Sequence, residues 1–271
     1  MASDLISAVV LGIIEGLTEF LPISSTGHLV VAARLLGFED KGEVFTVVIQ
    51  LGAILAVCAY FHAKLWSLTR GVLTGEAASL RFLRNIVLAA LPAAVVGLLL
   101  NDWMEEHLFS VAVVAATMVL GGLAIIAIER RRSQPRHHDP AELPWTTALA
   151  VGCCQLLALV PGVSRSGSSI LGGMLLGIDR RAATEFSFFL AIPIMLGASA
   201  LKLVKHRDEL TSDRMGTIGI GFAVAFVVAL AVVHWLIRYV SKRDFVPFAW
   251  YRIAAGLLLA ILLVTGVLTS F

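Results

Sequence analysis

An all-α polytopic membrane protein, one integral-membrane domain over residues 1–271, is the fold class this sequence predicts, and three observations predict it. Of 271 residues, 58% are apolar and 15% charged, against ~45–50% and ~25% in soluble domains. Mean hydropathy is +0.90. The apolar residues are also gathered into long stretches, several of them near the ~20 residues that a bilayer-spanning helix needs. A surplus of this size excludes a soluble globular chain and a disordered one. The formal net charge of +2 is too small to point to a nucleic-acid partner. Cys58, Cys153 and Cys154 lie inside apolar runs without metal-ligand spacing and read as packing residues.

Taken in order, the chain opens without a basic segment ahead of its first apolar run, so no cleaved signal peptide is expected. Stretches 5–21 and 23–36 are short and are separated by a break at Pro22…Gly27. Stretches 44–62, 86–100 and 111–128 each read as a crossing, and a polar linker follows at 129–144. Stretches 145–160 and 168–178 are again short, broken at Pro161…Gly167, before crossings at 184–201, 215–237 and 248–269. Short interrupted segments in corresponding places of two halves point to re-entrant hairpins meeting near the bilayer midplane. Gly12, Glu15, Pro22, Ser24, Thr26 and Gly27 find counterparts in Gly152, Gln155, Pro161, Ser164, Ser166 and Gly167. The expectation is six transmembrane helices plus two re-entrant helical hairpins in an inverted-topology repeat, with halves 1–128 and 145–271. Under this topology the segments 63–85, 129–144, 178–183 and 238–247 are loops on one side and carry 13 Lys/Arg, against 5 on the other. The first side is therefore expected to be cytoplasmic. Within the linker, Arg130–Arg136 with His137 and His138 reads as a solvated loop resting against anionic lipid.

Polar groups inside a membrane segment mark a functional site by default. The first break reads Glu15-Gly-Leu-Thr-Glu19-Phe-Leu-Pro22-Ile-Ser24-Ser25-Thr26-Gly27-His28. Glu15 and Glu19, four apart, share a helical face. Ser24 and Ser25 are N-cap candidates for the outgoing half-helix. The second break, Pro161-Gly-Val-Ser164-Arg165-Ser166-Gly167, aims half-helix N–H groups at an anion. Arg165 adds a fork suited to phosphate oxygens. A purely structural pairing of Arg165 with Glu15 and Glu19 is the plainer alternative, and both readings can hold in different states. The constellation suits phosphoryl transfer: a hydroxyl nucleophile, a neighbouring base, an arginine for developing charge, and carboxylates able to hold a divalent cation. Gln50, Gln155 and Glu185 are weaker candidates for a supporting role, with helix–helix hydrogen bonding an equal alternative.

The run E-G-L-T-E-F-L-P-I-S-S-T-G-H and the later P-G-V-S-R-S-G resemble the undecaprenyl-pyrophosphate phosphatase family of bacteria, the integral-membrane type linked to bacitracin resistance. The resemblance extends over nearly the whole chain. It implies hydrolysis of undecaprenyl pyrophosphate to undecaprenyl phosphate and inorganic phosphate, recycling the lipid carrier for peptidoglycan and other envelope polymers. It also implies a multi-pass protein of the bacterial cytoplasmic (inner) membrane, an active site opening to the periplasm, dependence on Mg²⁺ or Ca²⁺, and a second copy of the chain as a candidate partner. The family's essential carboxylates match Glu15 and Glu19, which are also the candidate metal ligands. Its nucleophile candidate matches Ser25, with His28 the competing group. Its Ser-Ser-Thr segment matches Ser24, Ser25 and Thr26 and its Ser-Arg pair Ser164 and Arg165; Ser24, Thr26, Ser164, Arg165, Ser166 and Gly167 are the candidate phosphate-binding residues. One departure is visible: where some relatives carry a carboxylate after the phenylalanine of F-x-V-V-I-Q-L-G, this chain has Thr46. Two rival functions remain at this point, a transporter of polyprenyl phosphate or another anion, since inverted repeats with broken helices are transporter architecture, and a scaffold whose polar cluster only staples two hairpins.

Overall fold

The computed structural model describes residues 2–131, 134–209 and 212–266. Among these the chain is helical, with an isolated bridge between His137 and Ile178 as the extended pairing. The first half contributes α1 (Ala2–Thr18), α2 (Ser25–Leu36), α3 (Val44–Tyr60), α4 (His62–Leu73), α5 (Ala77–Leu108) and α6 (Val111–Arg130). The second contributes α7 (Trp145–Gln155), α8 (Arg165–Leu175), α9 (Arg180–Lys205), α10 (Ser212–Val240) and α11 (Val246–Val264). Five helices (α5, α6, α9, α10 and α11) are long and apolar enough to cross a membrane. A sixth candidate is α3 joined to α4 across a bend of 76°.

Two expectations change. Segment 63–85 is not a loop, because α4 and the first turns of α5 occupy most of it. Its cations mislead: Lys64 reaches across to Glu185 at 3.1 Å, and α4 runs as a surface helix with Trp66 and Leu73 exposed. The linker after α6 is also less solvated than its charge implies. Pro140 and Leu143 are buried, Asn85 Nδ2 donates to the Leu143 carbonyl at 2.6 Å, and the amides of Arg136 and His137 donate to Gly177 O. His138 Nδ1 lies 3.2 Å from Asp179 Oδ2. Arg132 and Ser133 lie outside the described residues.

Close helix contacts rest on small residues, as expected where lipid gives no hydrophobic drive to association. A Cβ on Gly12 of α1 would meet the Gly221 carbonyl of α10 at 2.7 Å. A Cβ on Gly152 of α7 would meet the Ala89 carbonyl of α5 at 2.3 Å. α6 and α11 lean on one another in the same way, Gly122 against Ala249 O and Gly256 against Ala115 O. α3 packs against both α9 and α10. An aromatic cluster joins these elements beneath the two broken helices: Phe20 meets Phe188 edge-on at 5.2 Å, and Phe61 and Phe82 meet Phe189 at 5.1 and 5.2 Å. Cys58 and Cys154 are half-buried and Cys153 is exposed on the apolar surface, so packing describes the first two better than the third.

Candidate active site

Each hairpin turns at a serine held in a conformation L-residues avoid. Ser24 (φ 73°) caps α2 and Ser164 (φ 72°) caps α8. Each hydroxyl accepts from the amide three residues on, Gly27 N at 3.5 Å and Gly167 N at 3.1 Å. Such strain costs of order 1–3 kcal/mol per residue and persists only where the surroundings enforce it. Here they do. Ser166 Oγ donates to the Leu21 carbonyl at 2.8 Å, so the second turn grips the first. Thr117 of α6 donates to Pro161 O at 2.7 Å. Arg252 of α11, 1% exposed, spreads its guanidinium over both turns, donating to Pro22 O, Val163 O and Gly162 O as well as to Thr117 O and Met118 O on α6.

The two capped helix starts open on one cavity of about 190 Å³, whose polar wall is Glu19, Ser24, Ser25, Thr26, Gln50, Ser164 and Arg165. Ile194, Met195 and Ala198 of α9 form part of its apolar wall. Ser25 Oγ donates to Glu19 Oε2. Arg165 Nη2 donates to Glu19 Oε1 at 3.0 Å and Nη1 to Ser187 O at 3.2 Å. The guanidinium also stands 5.7 Å from the centre of the Phe20 ring. Its Nε–H is buried and has no partner. A buried unspent donor beside a serine, at two helix N-termini whose first N–H groups lack intrahelical acceptors, is a donor set of the chemistry that an oxyanion takes.

The other residues singled out in the sequence take different places. Glu15 is fully buried one turn behind Glu19, with both carboxylate oxygens unpartnered, and does not line the cavity. His28 also lies off the cavity wall. Its Nδ1 contacts Ser24 O at 2.6 Å and its Nε2 contacts the Tyr251 hydroxyl at 2.6 Å, with the two rings stacked 5.5 Å apart. Ser166 and Gly167 face the first hairpin, Gly167 packing near Pro22. Gln50 reaches the cavity, whereas Gln155 is buried behind it with Oε1 unpartnered. Glu185 is remote from this group and pairs with Lys64 and Arg181. Sequence reasoning missed Thr117, Tyr251 and Arg252. The signal for Arg252 was present, an arginine inside an apolar stretch.

The carboxylates suit a cation only in part. Both Glu19 oxygens are engaged, and no three His, Cys, Asp or Glu side chains gather as a metal cluster among the described residues. A cage built from protein alone does not fit. The unpartnered Glu15 oxygens, buried one turn from Glu19 and behind the cavity wall, are the orphaned polar atoms of this turn that fit a cation.

Fold and site together define an all-helical, multi-pass membrane protein with a buried serine–carboxylate–arginine group where two broken helices meet. The chain belongs to the bacitracin resistance protein BacA family, whose model matches residues 8–258. It is 51% identical over 257 residues to the undecaprenyl-diphosphatase of Novosphingobium aromaticivorans, covering 93% of this chain and 95% of that protein. It is 50% identical to undecaprenyl-diphosphatase 2 of Paramagnetospirillum magneticum, covering 96% and 99%. To the undecaprenyl-diphosphatase of Cupriavidus metallidurans it is 45% identical, covering 97% of each.

Proposed function

We propose that this chain hydrolyses undecaprenyl pyrophosphate to undecaprenyl phosphate and inorganic phosphate, recycling the lipid carrier for envelope synthesis and conferring bacitracin resistance. Names of relatives that match almost end to end support the reaction. The observation that carries it to residues is the chain Ser25–Glu19–Arg165 on the cavity wall. Glu19 takes the Ser25 proton as Oγ attacks the terminal phosphorus, and the bond from that phosphorus to the bridging oxygen breaks, releasing undecaprenyl phosphate. Water then attacks the phosphoserine phosphorus and the Oγ–P bond breaks, Glu19 returning its proton to Ser25 Oγ while the water's proton leaves with the inorganic phosphate. Arg165 receives phosphoryl oxygens through Nε–H and the helix-start amides take the rest. Ser24 and Ser164 hold those amides in place, Thr26 and Gln50 complete the polar wall, and Ser166 and Gly167 keep the hairpins together. Glu15, with Glu19, would hold a divalent cation, which would supply charge neutralisation when bound. His28 has both ring nitrogens engaged away from Ser25, so we assign it to fixing the Ser24 peptide rather than to attack on phosphorus.

The architecture we propose has six crossings (α3, α5, α6, α9, α10 and α11) and two re-entrant hairpins, α1/α2 and α7/α8, in inverted halves 1–128 and 145–271. Three matched pairs of observations support it. Ser24 and Ser164 share a strained cap, Gly12 and Gly152 share a backbone contact, and Pro22 and Pro161 are each bonded by the last crossing of the opposite half. The cavity touches α9 over Ile194–Ala198, towards its Lys205 end, the side we assign to the periplasm of the inner membrane. Purified protein in detergent should release phosphate from undecaprenyl pyrophosphate. Lipid flux in vesicles without phosphate release would instead identify a transporter.

A further inference from the structure

A second cavity, of about 620 Å³, lies away from the active site between the start of α9, the end of α10 and the start of α11. Its lining is Arg180, Tyr239, Lys242, Arg243, Asp244 and Pro247. Three membrane-capable helices begin or end here, so the cavity sits at the level of lipid headgroups. Exposed aromatic rings flank it. Trp235 stands 4.9 Å from Tyr239, and Trp250 is on the Pro247 face of α11. Amphipathic rings of this kind mark the membrane–water interface.

The cations differ in what they are free to do. Arg180 forks onto Glu129, Nε at 2.9 Å and Nη2 at 2.5 Å, and Glu129 also accepts from the Phe245 amide at 2.9 Å. This network is 3% exposed at the Glu129 side chain and fixes the cavity wall. Asp244 is engaged in the turn before α11, accepting from Val246 N at 3.1 Å. Lys242 and Arg243 are exposed, and neither has an ion pair among the described residues. Three cations against Glu129 and Asp244 leave one positive charge uncompensated, and one phosphodiester carries one negative charge.

We propose that this cavity binds the headgroup of an anionic phospholipid, with Lys242 and Arg243 on the phosphodiester, Tyr239 beside it, and the acyl chains lying along the exposed faces of α10 and α11. Basic pockets between transmembrane helices are of the chemistry that anionic headgroups occupy.

Native mass spectrometry of the full-length protein, with phosphatidylglycerol or phosphatidylcholine added in detergent, tests this. One phosphatidylglycerol per chain should be retained in preference to phosphatidylcholine. Lys242→Gln with Arg243→Gln should weaken retention about 25-fold, each cation near an anionic lipid being worth roughly five-fold. Asp244→Asn keeps an acceptor for Val246 N and removes a negative charge, so it should tighten retention by about five-fold. Equal retention of the two lipids would overturn the proposal, as would variants that leave phosphatidylglycerol binding unchanged. Displacement of the lipid by inorganic phosphate alone would mark a free-anion site and overturn it too.

Discussion

Ser25 donates its hydroxyl to Glu19, whereas the hydroxyl of Ser24 one residue earlier is spent on capping α2. Ser25→Ala should therefore lose far more than the ~10²–10³-fold typical of one oxyanion donor, and Ser24→Ala should fall within that range or below it. Steady-state phosphate release from both variants checks the ordering. Arg165→Lys keeps a charge but has neither an Nε–H nor a planar fork. It should lose most activity while the protein still inserts and purifies, and near-normal turnover would remove the argument from the unspent Nε. Arg252 is a positioning residue, since all its bonds go to backbone carbonyls of the turns and α6. Hydrogen bonds to a charged group contribute about 1.5–3 kcal/mol each, so Arg252→Met should cost upwards of ~3 kcal/mol and lower the Tm in detergent. A variant that melts like the parent would contradict the clasp. Of these residues, the two hairpin motifs were legible because their polar groups are close in sequence. Arg252 stood out only as an arginine inside an apolar stretch; its partners, and Tyr251, were not legible, because both residues meet the first hairpin more than 220 residues away, a separation no local pattern encodes.

Between elements, the backbone approaches at Gly12 and Gly152 set how closely α1 presses on α10 and α7 on α5. Gly152→Ala places a methyl 2.3 Å from the Ala89 carbonyl. It should separate α7 from α5 at a cost of about 1–3 kcal/mol, the usual penalty of overpacking. Gly197, within α9 and open on its Cβ side, is the control. Gly197→Ala should be neutral or stabilising by up to ~1 kcal/mol, because alanine is the better helix former. Thermal unfolding of both variants side by side decides the matter. The long apolar helices were legible from hydropathy alone. α4 was not, since Lys64 and Arg70 gave it the composition of a loop while its period is that of a surface helix. The ordered linker escaped too, because its arginines masked Pro140 and Leu143, which are buried against the helices.

For the whole molecule, the central claims are how the halves lie across the membrane and what reaction the cavity carries out. In a background lacking the three natural cysteines, Lys242→Cys should react only with reagents that enter the cytoplasm, and Lys205→Cys should be labelled from outside. Reaction of both from one side would contradict the inverted halves. The catalytic claim reaches further, because it requires a covalent bond at one named oxygen. Rapid quench of the purified protein with undecaprenyl pyrophosphate radiolabelled in the terminal phosphate addresses it directly. The account predicts an acid-stable phosphoenzyme that forms and decays within turnover, maps to Ser25 and is absent from Ser25→Ala. An acid-labile phosphoenzyme at His28, or turnover by Ser25→Ala at a few per cent of the parent rate or more, would contradict it.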